Sequence, residues 1–329
     1  MESRMSNPIK EKNRSKVIWT LHRVHTATKA RLSELTGISV VTMQGIIKQL
    51  EEEKFVIEDE MVQPELGRPA VSYRFLASAR YLLLIQMYEK EGQDTIRFSV
   101  TDLYGVLVYE KKDRIEGDVS NLLVEWIQMF VNQFPNISMI AIGIPGEEID
   151  GTIVVMDYKE LLNRPLAQEL SELFERPVFI ENDINCAIAG YISNNSEHKN
   201  DCICGIYMPG KYPPGAAIWQ QGQIMKGARG MAGEVQYLPF GIDWNSFDHN
   251  QERVDHFLCQ LMQTMCCLYN PKEIVLYDEL RDTAFIQKAK NILQEKLPEV
   301  MLPEIISRES LEQDYQAGLV SFALTRVFS

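Results

Sequence analysis

The chain has 329 residues, 45% of them hydrophobic, and a formal net charge of −13 at pH 7. This length has room for two or three domains, and the hydrophobic fraction excludes global disorder. The charge is unevenly placed, because residues 1–49 contain nine Lys/Arg and three Asp/Glu, a local net charge of +6 that leaves −19 on the remainder. A basic head on an acidic body indicates an anionic partner for the head and argues against a uniformly nucleic-acid-binding surface.

The sequence also bears on compartment and redox state. No secretory leader opens it, and no apolar run approaches the roughly 18 residues that a membrane span needs. We therefore expect a cytoplasmic protein with no membrane partner. Six cysteines show neither a disulfide framework nor metal-ligand spacing, so we expect reduced, buried thiols and no metal. They are Cys186, Cys202, Cys204, Cys259, Cys266 and Cys267.

The basic head has the periodicity of three helices. Apolar residues at helical spacing predict a first helix over 15–25. Thr28 is expected to cap a short second helix that ends at Gly37, and Ser39 to cap a third helix that runs to about residue 54. The buried stripe of the third helix is predicted to be Val41, Ile46, Ile47 and Leu50. This order of helices and turn is typical of a helix-turn-helix.

In a helix-turn-helix the second helix of the pair enters the major groove with its N-terminal residues towards the bases. Gln44 matches an adenine edge, and Thr42 or Met43 a thymine methyl group. Phosphate contacts are expected from Thr28, Lys29 and Arg31. The other predicted DNA-binding residues of the third helix are Ser39, Val40 and Lys48.

A hairpin wing is predicted after the third helix. Residues 55–57 form one strand, acidic residues 58–60 a turn, and residues 71–75 the returning strand. At the tip, Arg68 stands between Gly67 and Pro69, which suits insertion into a narrow minor groove. A protein-interaction module is the alternative reading of three amphipathic helices and a hairpin. The local charge of +6 and the turn at Gly37 favour DNA.

The acidic body reads as two similar α/β halves. The predicted strands cover 81–87, 95–101, 106–109, 139–144, 153–155, 202–208, 215–219 and 273–277. The predicted helices cover 122–134, 166–174, 254–268, 285–297 and most of 310–329. We divide the chain into a head over 1–78, a first lobe over 79–188 and a second lobe over 189–311, with a last helix over about 312–329 packing back on the first lobe. Two such lobes imply a ligand cleft between them.

A polar corner near the middle of the chain is the main candidate site. An apolar strand at 178–180 runs directly into Glu181, Asn182 and Asp183, after which a helix is predicted. In open α/β sheets, ligands bind at the carboxyl ends of the strands. Asp183 is a candidate general base, a candidate acceptor for a sugar hydroxyl and a candidate helix cap. The corner by itself does not decide among these roles.

Several segments, taken in order, resemble the ROK family of repressors and sugar kinases. They are IGIPG at 142–146, LNRPL at 162–166, ENDIN at 181–185, GARGMAGE at 227–234 and NPKEIVL at 270–276. The resemblance implies an α/β chain with a winged helix-turn-helix domain followed by the two-lobed, actin-like (ribonuclease H-like) sugar-kinase fold. In this family the winged head marks the repressors.

The resemblance also implies a set of effector contacts. It puts Asn182, Asp183 and Glu234 on positions that hold sugar hydroxyls, and it puts Asp183 on the general base of the kinases. Asn163, Glu181 and Tyr237 complete the predicted effector-binding set.

Two departures from the family's pattern argue against catalysis. The first phosphate loop corresponds to about 86–92, where the expected Asp and Gly pair are absent. The second corresponds to 209–215, where prolines remove the N–H groups that a phosphate cradle donates. Tyr237 stands where the family has a histidine beside its zinc site, and no cysteine follows until Cys259, so zinc has no suitable ligands.

We therefore expect no catalytic residue, no cofactor and no metal. The predicted function is a DNA-binding repressor of carbohydrate-related genes. Its expected partners are a double-stranded DNA operator, a sugar or sugar derivative as effector, and further copies of itself in a homodimer or higher homo-oligomer. A sugar kinase with an appended head and a ligand-independent regulator that uses its body only for dimerisation are the alternatives.

Overall fold

The computed structural model describes residues 8–62, 69–244 and 251–329. At the N-terminus three helices pack against a small antiparallel sheet. The helices are α1 (Pro8–Val24), α2 (Lys29–Thr36) and α3 (Val40–Glu52). The strands are β1 (Thr26–Thr28), β2 (Val56–Val62) and β3 (Ala70–Phe75), in the order β1-β3-β2.

The predicted caps of the head are confirmed. The Thr28 hydroxyl accepts a hydrogen bond from the Arg31 N–H at 3.2 Å. Gly37 ends α2 with φ +69°, a left-handed conformation that glycine adopts without a steric penalty. The Ser39 hydroxyl accepts from the Thr42 N–H at 3.3 Å and so satisfies one free donor of the first turn of α3.

Three predictions about the head are wrong. Helix α1 begins at Pro8, well before residue 15, so residues 8–14 are helical too. Residues 58–60 lie inside β2, where Glu58 pairs with Tyr73, and do not form a turn. Strand β1, which pairs with β3 from Thr26 to Thr28, was not predicted. Its three residues are too few for a period of two to be recognised.

The buried stripe of α3 also differs from the prediction. Val41 is 85% exposed, and the buried residues are Met43, Ile46, Ile47 and Leu50. Counted from Met43, the other three lie three, four and seven residues further along, a spacing that follows one face of a helix. Val41 precedes Met43 by two residues, about 200° around the axis, and therefore faces outward.

The first lobe is built on a mixed five-stranded sheet in the order β10-β7-β4-β5-β6. Its strands are β4 (Tyr81–Lys90), β5 (Gln93–Thr101), β6 (Leu107–Arg114), β7 (Ile137–Ile144) and β10 (Val178–Asn182). A small hairpin joins β8 (Gly146–Ile149) to β9 (Thr152–Met156). The helices of this lobe are α4 (Val119–Gln133) and α5 (Leu166–Phe174).

The second lobe has a mixed five-stranded sheet in the order β13-β12-β11-β14-β15. Its strands are β11 (Ile203–Tyr207), β12 (Gly215–Gln220), β13 (Gln223–Ile224), β14 (Glu273–Tyr277) and β15 (Glu304–Arg308). Helices α7 (Gln251–Tyr269) and α8 (Thr283–Lys296) belong to this lobe. Cys267 is exposed on α7, which corrects the expectation that every thiol is buried.

Helices α6 (Asp183–Asn194) and α9 (Glu312–Val327) lie side by side between the two sheets. A Cβ atom on Gly190 of α6 would lie 1.8 Å from the Asp314 carbonyl oxygen of α9. A Cβ atom on Gly318 of α9 would lie 1.8 Å from the Cys186 carbonyl oxygen of α6. The two backbones therefore touch through one glycine from each helix, a distance at which no other residue fits.

The head joins the body through an aromatic cluster. Phe328, which follows α9, is fully buried. Its ring centroid lies 4.9 Å from that of Trp19, 6.0 Å from Phe55 and 5.9 Å from Phe75. The His22 Nε2 atom hydrogen-bonds to the Leu103 carbonyl at 2.8 Å. One continuous core therefore runs from the head into the body. Among the described helices, none is long and apolar enough to cross a membrane.

The glycine contact between α6 and α9 leads to a stability prediction. Gly190→Ala should lower the free energy of unfolding by about 3 kcal/mol, because a methyl group there overlaps backbone atoms that cannot move independently. Gly45→Ala is the matched control, since no atom lies within 4 Å of a Cβ at that site of α3. It should be neutral or stabilise by up to about 1 kcal/mol. Equal thermal midpoints for the two variants would contradict the packing argument.

Candidate functional site

The polar corner lies at the end of β10, where α6 begins. Asn182 is the N-cap of α6: its Oδ1 accepts from the Asn185 N–H at 3.0 Å, and its side-chain amide donates to the Gly146 carbonyl at 3.2 Å. Asp183 is therefore not the cap, and that candidate role is corrected. The Asp183 residue is 4% exposed, and its Oδ1 accepts from the Ile184 N–H at 2.6 Å.

Several carboxyl groups converge at this corner. Burial, with repulsion from Asp157 and Glu234, raises the pKa of Asp183 to about 8. Burial, with repulsion from Glu181 and Glu234, raises the pKa of Glu147 to about 8. The pKa of Asp157 is raised as well, although the residue keeps more solvent exposure than Asp183 and Glu147. Each of these carboxyl groups thus holds its proton more tightly than in water.

Glu181 is the one carboxylate of this group with an ion-pair partner among the described residues. Lys226 Nζ donates to both of its oxygens, at 2.7 and 2.6 Å, and the Asn185 side-chain amide donates at 3.3 Å. The ion pair and the amide hydrogen bond offset the free-energy cost of burying the Glu181 carboxylate. Its oxygens are already engaged, which leaves Asp183, Glu147 and Glu234 as the more available polar groups.

The remaining predicted effector contacts lie in different settings. Asn163 is exposed, has φ +60°, and donates its N–H to the Ile153 carbonyl at 2.8 Å. Glu234 accepts from the side-chain amide of Gln236 at 2.9 Å. Tyr237 is 72% exposed. Contact of Asn163 and Tyr237 with an effector stays a prediction.

The sequence argument missed Glu147, Asp157 and Lys226. Asp157 directly follows β9, so the rule that selected Asp183, a carboxyl at a strand end, also applies to it. Glu147 lies inside β8 and Lys226 in a loop, and only the folded chain brings them to the corner.

The raised pKa values restrict the chemistry of the corner. A carboxyl with a pKa of about 8 is protonated in most molecules at pH 7, and only its ionised fraction can take a proton from a hydroxyl. The protonated form can both donate and accept a hydrogen bond. The corner therefore has donors and acceptors that suit an uncharged polyhydroxyl ligand.

The predicted DNA-binding residues of α3 divide into outward and inward groups. Val40 is 52% exposed, and Thr42, Gln44 and Lys48 are exposed as well. Met43 is fully buried in the head core, so its predicted contact with a thymine methyl group is wrong.

The predicted phosphate contacts already have partners within the head. The Thr28 hydroxyl caps α2, and Arg31 pairs with Glu34 at 3.0 Å on the surface. Lys29 Nζ lies 4.9 Å from the centroid of the Tyr73 ring. An exposed ion pair is worth little and does not keep Arg31 from a phosphate. Arg68 lies outside the described residues.

A body of two lobes, each with a mixed five-stranded sheet and with paired helices between them, has the architecture of a sugar-kinase-like fold. Residues 90–243 match the ROK family. These residues therefore form a ROK family domain.

Curated relatives include both repressors and kinases. The xylose repressor of Bacillus subtilis (strain 168) is 27% identical over 246 residues, 72% of this chain and 62% of that protein. The chain thus spans less than two thirds of that repressor's length. The N-acetyl-D-glucosamine kinase of Vibrio atlanticus is 26% identical over 119 residues, 36% of this chain and 39% of that protein.

Solved structures share the fold. A ROK family transcriptional regulator, a homolog of the E. coli MLC protein, aligns over 97% of this chain and 100% of its own with a TM-score of 0.69 and 17% identity. A ROK family glucokinase from Streptomyces griseus aligns over 74% of this chain and 98% of its own with a TM-score of 0.53 and 14% identity. The second alignment supports the kinase-like architecture of the body.

The buried carboxyl groups predict a pH dependence of stability. Asp183 and Glu147 have pKa values of about 8 in the folded chain and near 4 when unfolded, so the folded state binds more protons between those values. The free energy of unfolding should therefore fall as pH rises from 5 to 8. In Glu147→Gln this loss should be about 2 kcal/mol smaller.

Urea unfolding at several pH values measures this slope. Glu125→Gln, on the exposed face of α4, is the control and should keep the wild-type slope. A Glu147→Gln slope equal to that of the control would show that Glu147 does not titrate as its burial implies.

Proposed function

We propose that the protein is a DNA-binding transcriptional regulator, a repressor whose head is a winged helix-turn-helix. The observation that carries this is the outward face at the start of α3. Val40, Thr42, Gln44 and Lys48 point away from the head core there. A capped helix after a glycine turn, with polar residues on its free N-terminal face, has the geometry that reads a major groove.

Two further features support this proposal. The first 49 residues carry a net charge of +6, which suits the phosphate backbone. Strands β2 and β3 form a hairpin beside α3, and the segment that joins them includes Arg68, our proposed minor-groove contact. We also propose that the head covers residues 1–78, the first lobe 79–188 and the second lobe 189–311.

The body is proposed to sense a sugar or related small molecule, without catalysis. Protonated carboxyl groups at Asp183 and Glu147, beside Asn182 and Glu234, offer donors and acceptors for hydroxyl groups. Relatives named xylose repressors match 72% of the chain, whereas the named N-acetyl-D-glucosamine kinases match 36%. This difference favours a sensor over a kinase.

The proposed link between the two sites runs along α6 and α9. Asp183 begins α6, α6 touches α9 at the glycine contact, and Phe328 follows α9 into the head core. A ligand that favours one arrangement of these helices would shift the orientation of the head. In a homodimer such a shift changes the spacing of two heads on an operator with two half-sites.

Gln44 provides a test of the DNA-binding proposal. Selection from a random duplex pool should yield a preferred site for the wild-type chain. Gln44→Ala should lower discrimination at one base pair about tenfold. The reason is that a side-chain amide with two hydrogen bonds to a base discriminates against the wrong base by about 1–3 kcal/mol. Met43→Ala is the control on the same helix and should lower the thermal midpoint while leaving the base preference unchanged. An unaltered site preference in Gln44→Ala would exclude Gln44 as a reader.

Asp183 provides a test of sugar sensing. Unphosphorylated pentoses and hexoses should include one that raises the thermal midpoint of the wild-type chain. Asp183→Ala should weaken its binding at least about tenfold through the lost hydrogen bonds. Glu172→Ala, on the exposed face of α5, should bind it as the wild type does.

The kinase alternative is tested with the same sugars. A coupled assay with ATP should give no turnover. Turnover that Asp183→Asn abolishes would overturn the non-catalytic proposal, and the absence of a thermal shift with every sugar would favour a ligand-independent regulator.

A further inference from the structure

The Glu89 carboxylate bridges the two lobes at one edge of their boundary. Its Oε1 accepts a hydrogen bond from the backbone N–H of Gly92, in the turn after β4. Its Oε2 accepts one from the backbone N–H of Gly210, in the loop after β11. Glu89 is 7% exposed. One buried side chain thus uses both of its oxygens on main-chain amides that belong to different lobes.

The two glycines suit this arrangement. Gly92 has φ +77°, which turns the chain so that its N–H faces back towards β4. A Cβ atom on Gly210 would lie 3.3 Å from Glu89 Oε2, so any larger residue would crowd the carboxylate. Main-chain N–H groups that converge on one point form a typical binding position for a small oxyanion.

The surroundings allow one anion at this position and not two. Within the described residues, Glu89 forms no ion pair with Lys, Arg or His. The neighbouring cavity, of about 230 Å³, is lined by Glu91, Glu279 and Glu309 as well as by Glu89. Arg281 also lines the cavity, but it is already paired with Asp255 and Asp278, both at 3.4 Å. A second anion would therefore meet these carboxylates without a free compensating cation in the cavity lining. Glu89 and an external oxyanion are therefore mutually exclusive.

Other polar contacts reinforce the same edge. The Tyr207 hydroxyl donates to the Glu89 carbonyl at 3.1 Å. Asp94 of the first lobe accepts from Lys211 Nζ at 2.7 Å and from the Tyr212 hydroxyl at 2.9 Å. The adjoining ends of β4 and β5 are thus held against β11 and the loop that follows it by charged and hydroxyl groups.

We propose that the amides of Gly92 and Gly210 form an oxyanion site shared by the two lobes, and that Glu89 occupies it as a built-in ligand. The carboxylate holds the lobes together at this edge without any bound molecule. It also excludes external phosphate and carboxylate groups from the boundary. Removal of the side chain should convert the site into one that binds a small free oxyanion.

Glu89→Ala tests this by chemical rescue. The variant leaves two amides unpaired beside a cavity, so its thermal midpoint should fall by about 3 °C. Hydrogen exchange at the amides of Gly92 and Gly210 should speed up about tenfold. Formate or inorganic phosphate at millimolar concentration should reverse both changes, relative to chloride at equal ionic strength. Neither ion should protect these amides further in the wild-type chain.

Two further variants make the result decisive. Glu309→Ala removes the same charge from an exposed position on the same cavity, and it should change neither amide exchange nor the response to formate. Glu89→Gln fills the space but turns an N–H towards one of the two amides, so exchange should speed up without rescue.

The proposal fails if Glu89→Ala responds to formate no more than Glu309→Ala does. If Glu89→Ala does not fold, Glu89→Gln provides the test instead. Wild-type exchange rates at the Gly92 and Gly210 amides in that variant would also overturn the proposal. None of these measurements involves DNA or a sugar, so their outcome is independent of the proposed function.

Discussion

The close contact of α6 with α9 is the constraint on which the rest of the architecture depends. Gly190 and Gly318 each face a carbonyl oxygen of the other helix, so the two helices cannot separate or slide without losing the fit. Helix α6 begins at the polar corner and packs against β11 and β12 of the second lobe, while α9 packs against β4 and β7 of the first. The mutual position of the two sheets therefore follows from a contact between two residues that have no side chains.

The sequence predicted the elements well where hydrophobic period and capping agreed. The bounds of α5 and β14 match the prediction residue for residue, and Ser39 caps α3 as expected. The prediction failed where pairing between distant segments of the chain determines the secondary structure. Strand β15 pairs in parallel with β14 and was not predicted, because its sequence has little apolar character of its own.

From the sequence, only the part of the candidate site that is contiguous in the chain could be predicted. Asp183 and Asn182 stand next to each other at a strand end, so a local rule finds them, although the cap proved to be Asn182. Glu147 and Lys226 are distant in sequence and meet the corner only because the hairpin and a second-lobe loop fold over it. The same folding removes water, and this desolvation is what changes Asp183 from a carboxylate into a mostly protonated donor at neutral pH.

Helix α9 is held at both ends, which bears on how the head is oriented. At its start, the Glu312 carboxylate accepts hydrogen bonds from Lys90 and Lys112, and although burial opposes ionisation these bonds lower the pKa of Glu312 to about 2. Beyond its end, Phe328 is enclosed by rings of the head. Any rotation of the first lobe at the polar corner must therefore either turn the head with it or break an aromatic cluster that is buried from solvent.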